Sequence, residues 1–163
     1  TSIGTRNEDQ SPNKNNWVFS SAPESARKAA GAVDGSLKAT LAVNQVTSTG
    51  ERRLVGAVVI GQIHAAKDEP ARLYYRKLPE HTRGSLFLAH EISGGDDTWT
   101  DLLGSRSPDA EDPEDGIALN EKFSYEITAT GNTLYVAIRQ QGETRAETTI
   151  DMSNSGYDVA KDY

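Results

Sequence analysis

Short runs with the alternation typical of β-strands follow one another along most of this chain, and turn residues separate them. The clearest pair is Phe123 to Ala129 and Thr133 to Arg139, which flank the segment Thr130-Gly131-Asn132. Gly and Asn tolerate the positive φ values of tight hairpin loops, so this pattern predicts a β-hairpin. Good helix formers are concentrated in Glu24 through Ala30, just before Gly31. We therefore expect an all-β sandwich.

The same alternation predicts further strands and one long loop. The further strands are Trp17 to Phe19, Gly35 to Thr47, Leu54 to His64, Ala71 to Leu78, Ser85 to Glu91 and Glu147 to Met152. The segment Gly94 to Gly116 is rich in Asp, Ser, Pro and Gly, which favours a loop.

Length, charge and composition exclude several classes of protein. A chain of 163 residues is long enough for one domain with a sizeable core. It contains no apolar run near the roughly 18 residues that cross a membrane, and its net charge of −7 argues against nucleic acid as a partner. The absence of cysteine excludes disulfides and, with only three histidines, disfavours a structural zinc site. The polar opening Thr1 to Gly4 is typical of a mature or trimmed protein, not of a signal peptide.

The strongest candidate site lies in the predicted strand Leu54 to His64. Its apolar run Leu54 to Ile60 has no polar face, which predicts burial on both faces. At a period of two residues, Gln62 and His64 lie on one side of the strand and Ile63 lies on the other. A neutral amide beside an imidazole suits a site that binds an anionic substrate and moves a proton. The alternative is the polar end of a core strand, hydrogen-bonded to its neighbours.

The next predicted strand adds cations and aromatic rings. One face of it carries Arg72, Tyr74 and Arg76. This face either lines a groove for an anionic substrate or is a solvated outer face with cross-strand ion pairs. If the strand is reversed, Tyr75 and Lys77 take the place of the first set.

Several segments, taken in order, carry a resemblance to a known family. The segments are Asn13 to Ser20, Gln62-Ile63-His64, Leu73 to Lys77, Asp115 to Leu119 and Asp151 to Tyr157. The second and third resemble the alginate lyases of polysaccharide lyase families 7 and 18, and the others are similar to family 18 in particular. The likeness extends through nearly the whole chain.

The resemblance implies a β-jelly roll of two curved antiparallel sheets with a substrate groove in the concave sheet. It implies β-elimination of alginate without a required cofactor. Gln62 then donates to the substrate carboxylate, and His64 takes the C5 proton or holds a charged neighbour in place. Arg72, Tyr74 and Arg76 are expected to line the groove. The alternatives are a non-catalytic carbohydrate-binding jelly roll, an inactive lyase fragment and a structural sandwich without a ligand.

Two of the three signature segments of this family are not found in the chain. The first, which contributes an Arg to the substrate carboxylate, would precede Thr1, and the third, which contributes the catalytic Tyr, would follow Tyr163. We therefore expect residues 1–163 to form a single lyase-like domain that is incomplete at both ends. Tyr157 and Tyr163 do not match the catalytic Tyr. The active form is expected to be a monomer. An alternative is that the two missing strands are supplied as separate segments.

A few residues have two interpretations. The acidic segment Asp109 to Gly116 either binds calcium or is simply solvated. Trp99 either stacks on a sugar or packs beneath its loop, while His81 and His90 are expected to be ordinary surface or strand residues. The expected partner is an acidic polysaccharide, and the expected location is the periplasm or the medium of a bacterium.

Overall fold

The computed structural model describes residues 12–65 and 68–158, which consist mostly of β-strands. The strands are β1 (Trp17–Val18), β2 (Ala32–Val33), β3 (Gly35–Leu41), β4 (Ala57–Ile63), β5 (Ala71–Arg76), β6 (Arg83–Glu91), β7 (Asp97–Leu103), β8 (Ile117–Ala118), β9 (Phe123–Thr130), β10 (Thr133–Gln140) and β11 (Glu143–Asp151). The helix α1 spans Glu24–Ala29, as predicted. In the described ranges no helix is both long and apolar enough to cross a membrane. The predicted polar opening, Thr1 to Gly4, lies outside these ranges.

Two sheets pack face to face. One has the strand order β11-β10-β9-β3, and the other has the order β4-β5-β6-β7 with β8 paired to β6. Neighbouring strands within both sheets are antiparallel, while β1 and β2 form a separate parallel pair. Buried side chains from both sheets form one core. This arrangement confirms the predicted all-β jelly-roll sandwich.

Alternation along the strands decides which side chains enter this core. On β9, Phe123, Tyr125 and Ile127 are buried, and the residues between them are only half-buried. On β5, Leu73 and Tyr75 are buried from the opposite sheet. The rings of Tyr75 and Phe123 stack with their centroids 6.4 Å apart. Burial of each large side chain contributes about 1.5–3 kcal/mol to stability, so the buried side chains hold β5 in the sheet. The residues on the outer face of β5 are positioned with it.

The apolar run before Gln62 differs from its prediction. Leu54 lies in a turn and is 62% exposed, and strand β4 begins only at Ala57. Val58 and Val59 are 38% and 37% exposed, so the prediction of burial on both faces was wrong. Val58 and Val59 lie on opposite faces of β4, and β4 is the end strand of its sheet, where neither face is fully covered. An apolar run reports hydrophobicity and not the position of a strand within a sheet.

Strand β7 occupies part of the predicted long loop, so that prediction was wrong over Asp97–Leu103. The segment pairs with β6 through Thr98, Trp99 and Thr100. These β-branched and aromatic residues favour a strand once a partner strand is available, although Asp and Gly surround them. The correction places Trp99 on a rigid sheet.

Candidate active site

The predicted site residues lie on the outer face of the β4-β5-β6-β7 sheet, here called the site face. The register pairs Gln62 with Arg72, Arg72 with Ala89, and Ala89 with Trp99. Directly opposed residues of antiparallel strands point to the same side of a sheet. Gln62, Arg72 and Trp99 therefore stand in one row across four strands.

Gln62 is positioned by an irregularity in β4. The register with β5 shifts between Val59 and Gly61, which is the signature of a β-bulge. The Tyr125 hydroxyl donates to the Ile60 carbonyl oxygen at 2.8 Å from the opposite sheet. The bulge and this hydrogen bond fix the strand immediately before Gln62, whose own side chain is exposed.

His64 follows the end of β4, with its side chain 57% exposed. Its Nδ1 lies 2.6 Å from the Ala65 carbonyl oxygen, and its Nε2 lies 3.2 Å from Oε1 of Glu69. Both ring nitrogens face oxygen atoms, so a proton is required between Nε2 and Glu69. Burial, aided by a hydrogen bond to Glu91, raises the pKa of the Glu69 carboxyl, which favours retention of that proton. His64 is thus held between the Ala65 carbonyl oxygen and the Glu69 carboxyl.

Arg72 is surrounded by carboxylates. Its Nη2 donates to Asp97 and lies 3.4 Å from Oε2 of Glu91, and its Nε is 4.0 Å from Oε2 of Glu69. We call Glu69, Glu91 and Asp97 the acidic cluster. A substrate carboxylate at Arg72 would compete with these three carboxylates, and the predicted role of Arg72 in substrate binding stays a prediction.

Arg76 lies on the same face but is only 4% exposed. Its guanidinium donates to the carbonyl oxygens of Arg53 at 3.4 Å, of Ser107 at 2.7 Å, and of Arg106. Burial and the nearby Arg106 lower its pKa. These contacts hold the segment after β7 against the sheet, and substrate binding by Arg76 stays a prediction.

Tyr74 lies between Arg72 and Arg76, on the face predicted by alternation. Its ring stacks on Phe87 with centroids 5.2 Å apart and an angle of 13° between the planes. Trp99 packs against both rings, at 5.8 Å from Tyr74 and 6.0 Å from Phe87. We call these three rings the aromatic platform. The groove-lining role of Tyr74 also stays a prediction.

Several residues around this site were missed by the sequence analysis. Arg106 follows β7, and its guanidinium carbon lies 4.8 Å from the centroid of the Trp99 ring. The predicted loop gave no reason to single it out, and only the placement of Trp99 on a strand would have drawn attention to its neighbours. The acidic cluster was missed as well, because its members come from different segments of the chain.

The other two histidines are buried and hydrogen-bonded. His90 is 3% exposed, and its ring nitrogens lie 2.7 Å from the Pro70 carbonyl oxygen and 2.7 Å from Oγ of Ser155. His81 is 8% exposed, and its Nε2 lies 3.0 Å from the Ala110 carbonyl oxygen. These contacts serve the packing of strands and loops. His90 is a residue of strand β6, one of the two alternatives predicted, whereas His81 is buried and lies outside the strands.

The acidic segment Asp109 to Gly116 uses its carboxylates to organise the chain. Asp112 accepts from the hydroxyl and the amide of Thr82 and from the amide of Arg83. These hydrogen bonds lower its pKa to about 2. Throughout residues 12–65 and 68–158, no three Asp, Glu or His side chains are grouped so as to hold a metal ion. Calcium binding stays a prediction.

Comparisons with known proteins agree with the likeness expected from the motifs. A family model described as alginate lyase matches residues 3–163. A curated alginate lyase from Klebsiella pneumoniae is 51% identical over 172 aligned residues, which cover 100% of this chain and 55% of that protein. The crystal structure of the alginate lyase from Klebsiella pneumoniae matches with a TM-score of 0.91 and 51% identity, over 94% of this chain and 57% of that one.

A more distant solved structure shows the same likeness. The exolytic PL7 alginate lyase AlyA5 from Zobellia galactanivorans matches with a TM-score of 0.64 and 38% identity, over 72% of this chain and 44% of that one. The chain thus spans about half the length of the relatives it matches. The predicted resemblance is confirmed, and the chain belongs to the alginate lyase family.

Proposed function

We propose that the protein to which this chain belongs cleaves alginate by β-elimination and leaves an unsaturated uronate at the new chain end. The observation that carries the proposal is 51% identity over the whole chain to the Klebsiella pneumoniae alginate lyase. The site face agrees with it. An exposed Gln62 and a half-exposed His64 lie at the end of a strand that the Tyr125 hydroxyl contacts from the opposite sheet. Because the chain spans 55% of that relative, the activity is proposed for the complete catalytic unit.

The first chemical requirement is stabilisation of charge on the uronate carboxylate. Elimination breaks the C5–H bond, and the electron pair moves partly into the carboxylate before the C4–O bond breaks. A preorganised donor aimed at the carboxylate oxygen stabilises this enolate-like state. The amide of Gln62 is such a donor, because it is neutral and carries no counterion that must first be displaced.

The second requirement is control of the proton. In the arrangement described, His64 is paired with Glu69, so we assign it to holding this neighbour in place beside the reacting carbon and not to removing the C5 proton as a free base. The proton goes to a base, the C4=C5 double bond forms, and the leaving oxygen takes a proton. We assign both the base that takes the C5 proton and the acid that supplies this last proton to the part of the relatives' length that this chain does not span.

The proposal is tested by ultraviolet absorbance of the conjugated C4=C5 product. The full-length protein is incubated with alginate, beside its Gln62→Ala and His64→Ala variants. We expect a rising absorbance for the wild type, a loss of roughly 10²–10³ in rate for Gln62→Ala, the range typical of a lost transition-state donor, and a loss of rate for His64→Ala. Gln45→Ala is the matched control, because Gln45 is also exposed but lies outside the strands.

Two outcomes contradict the proposal. Alginate binding without any absorbance change assigns the protein to the non-catalytic binding class. A Gln62→Ala variant as active as Gln45→Ala removes Gln62 from the mechanism. Thermal melts of all variants show whether a lost rate reflects chemistry or unfolding.

We also propose that the protein acts in the periplasm or in the medium. Alginate is a polymer too large to diffuse through a bilayer, so cleavage is required where the polymer meets the cell. Fractionation of producing cells, followed by the same absorbance assay, measures the location. Activity confined to the cytoplasm would contradict this placement.

A further inference from the structure

We infer that Arg106 and Trp99 form a second uronate-binding subsite on the site face, separate from the position at which Gln62 acts. The inference rests on the proposed function and deepens it by naming where another ring of the same polysaccharide binds. It depends on three observations: an unpaired guanidinium, a supported aromatic ring, and the distance of both from Gln62.

Among the residues that the structure describes, we compare three arginines at this face, Arg72, Arg76 and Arg106, which differ in the groups that contact their guanidinium. Arg72 is paired with the acidic cluster, and Arg76 is buried against backbone carbonyl oxygens. The side chain of Arg106 is exposed, and in the described part of the chain no carboxylate lies within 4 Å of its guanidinium. The nearest acid contact is to its backbone, whose amide donates to Asp101 at 3.0 Å. Arg106 is therefore the guanidinium available to form two parallel hydrogen bonds with a substrate carboxylate.

Trp99 provides the second element. Its ring is 37% exposed, and Phe87 and Tyr74 support it at 6.0 Å and 5.8 Å. A ring held in this way keeps its position when a ligand arrives, and the part of it that these neighbours and Arg106 leave uncovered is available to a sugar. The Arg106 guanidinium lies over it at 4.8 Å, within the range of a cation–π contact. The contact holds the guanidinium beside the exposed part of the Trp99 ring, within reach of the carboxylate of a uronate that binds there.

The register sets the distance from Gln62. Gln62, Arg72, Ala89 and Trp99 are successive partners across four strands. With about 4.8 Å between neighbouring strands, three spacings separate Gln62 from Trp99 by roughly 14 Å. A single pyranose ring does not extend over this distance. Trp99 and Arg106 therefore contact a different ring from the one at Gln62, and only substrates long enough to reach both benefit.

The first experiment compares substrates of different length. The Arg106→Ala variant of the full-length protein is assayed on alginate polymer and on the shortest oligomer that is still cleaved. We expect kcat/KM on the polymer to fall roughly tenfold, as for loss of a charged hydrogen bond, while the value on the shortest oligomer is unchanged. Arg27→Ala is the matched control, since Arg27 is exposed on α1 and its loss removes the same charge. Equal losses on long and short substrates, or equal effects of the two variants, would overturn the subsite.

The second experiment detects binding without catalysis. The 163 residues contain two tryptophans, so Trp17→Phe, together with Phe in place of any tryptophan elsewhere in the full-length protein, leaves Trp99 as the only emitter. We expect long alginate oligomers to change the Trp99 emission, and we expect neutral oligosaccharides of the same length to leave it unchanged. Adding Arg106→Ala should weaken the fitted Kd roughly tenfold. An emission that does not respond to alginate would overturn the inference.

The two experiments separate this inference from the proposed function. If alginate changes the Trp99 emission and no unsaturated product forms, the subsite stands and the lyase activity fails. If product forms and the emission is unchanged at saturating oligomer, the lyase activity stands and the subsite fails.

Discussion

Gly61 lies on the strand that carries Gln62 and packs against the Tyr125 ring of the opposite sheet, and replacing it with alanine tests that packing. A Cβ at this position would lie 2.6 Å from the Tyr125 hydroxyl oxygen and 2.7 Å from the ring carbon that bears it. Real Cβ atoms do not approach other atoms so closely, so either the Tyr125 ring or β4 moves. Tyr125 is 4% exposed, and its hydroxyl donates to the Ile60 carbonyl oxygen, so movement also breaks a hydrogen bond.

The size of the effect follows from these contacts. Overpacking of a core costs about 1–3 kcal/mol, and the lost hydrogen bond adds about 1 kcal/mol. Together they lower the free energy of unfolding by about 2–4 kcal/mol. For a protein of this size each 1 kcal/mol lowers Tm by about 2–4 °C, so Gly61→Ala should melt about 5–15 °C below wild type. Because Gln62 is the next residue, a displacement of β4 by about 1 Å also lowers kcat on alginate by up to roughly 10²-fold.

The assay is thermal unfolding followed by circular dichroism, together with the absorbance assay. Gly35→Ala is the matched control, because Gly35 begins β3 and its added Cβ would lie 3.7 Å from the Trp17 ring, an ordinary contact. We expect this control to melt at or slightly above wild type, since alanine reduces the entropy of the unfolded chain. If Gly61→Ala melts with Gly35→Ala and keeps full activity, the account of how β4 is positioned is wrong.

Three further predictions concern other contacts. Tyr75→Phe removes a buried hydroxyl that donates to the Ile117 carbonyl oxygen at 2.9 Å, and should lower the free energy of unfolding in urea by about 1–2 kcal/mol; an unchanged midpoint would contradict this. Asp112 has a pKa of about 2 in the folded protein, below about 3.9 in the unfolded chain, so its stabilisation is present above about pH 4 and is lost as the pH falls toward 2. Asp112→Asn should therefore flatten the fall of Tm over that window, and parallel Tm curves would refute the assignment. Val59 is 37% exposed on the end strand β4, so Val59→Lys should reduce self-association of the isolated chain of 163 residues in sedimentation experiments; a wild-type chain that stays monomeric at high concentration would show that this edge is not adhesive.

The parts of the fold that were predicted are those determined by neighbouring residues. The hairpin of β9 and β10 follows from alternation on both sides of Gly131, and the structure pairs the two strands throughout. The position of β4 at the end of its sheet depends on how the other strands are arranged. The apolar residues of β4 alone do not indicate this position. Strand β7 was missed for a related reason, because Thr98 to Thr100 are stabilised as a strand by pairing with β6.

The candidate site divides in the same way. The two-residue period predicted that Gln62 and Ile63 lie on opposite sides of one strand and that Arg72 and Tyr74 share a face of the next, and the structure adds the pairing of Gln62 with Arg72. The surroundings of Arg72 were not, because Glu91 and Asp97 lie on the next two strands and reach it only after the sheet has formed. Arg106 depends in addition on the path of the chain after β7. Sequence motifs therefore identify candidate site residues. The charged side chains that surround them are known only once the sheet has formed.

The two ends of β5 differ in charge, and this difference affects how a polyanion first meets the protein. Arg72 and Arg76 are four residues apart, about 13 Å along a strand. The acidic cluster surrounds the first, and the Arg106 guanidinium lies near the second. Screening in physiological salt acts over about 8 Å, so an approaching anionic chain senses the two ends separately. Encounter then begins at the cationic end with a defined orientation, and ionic strength acts mainly on the association rate and much less on the lifetime of the complex.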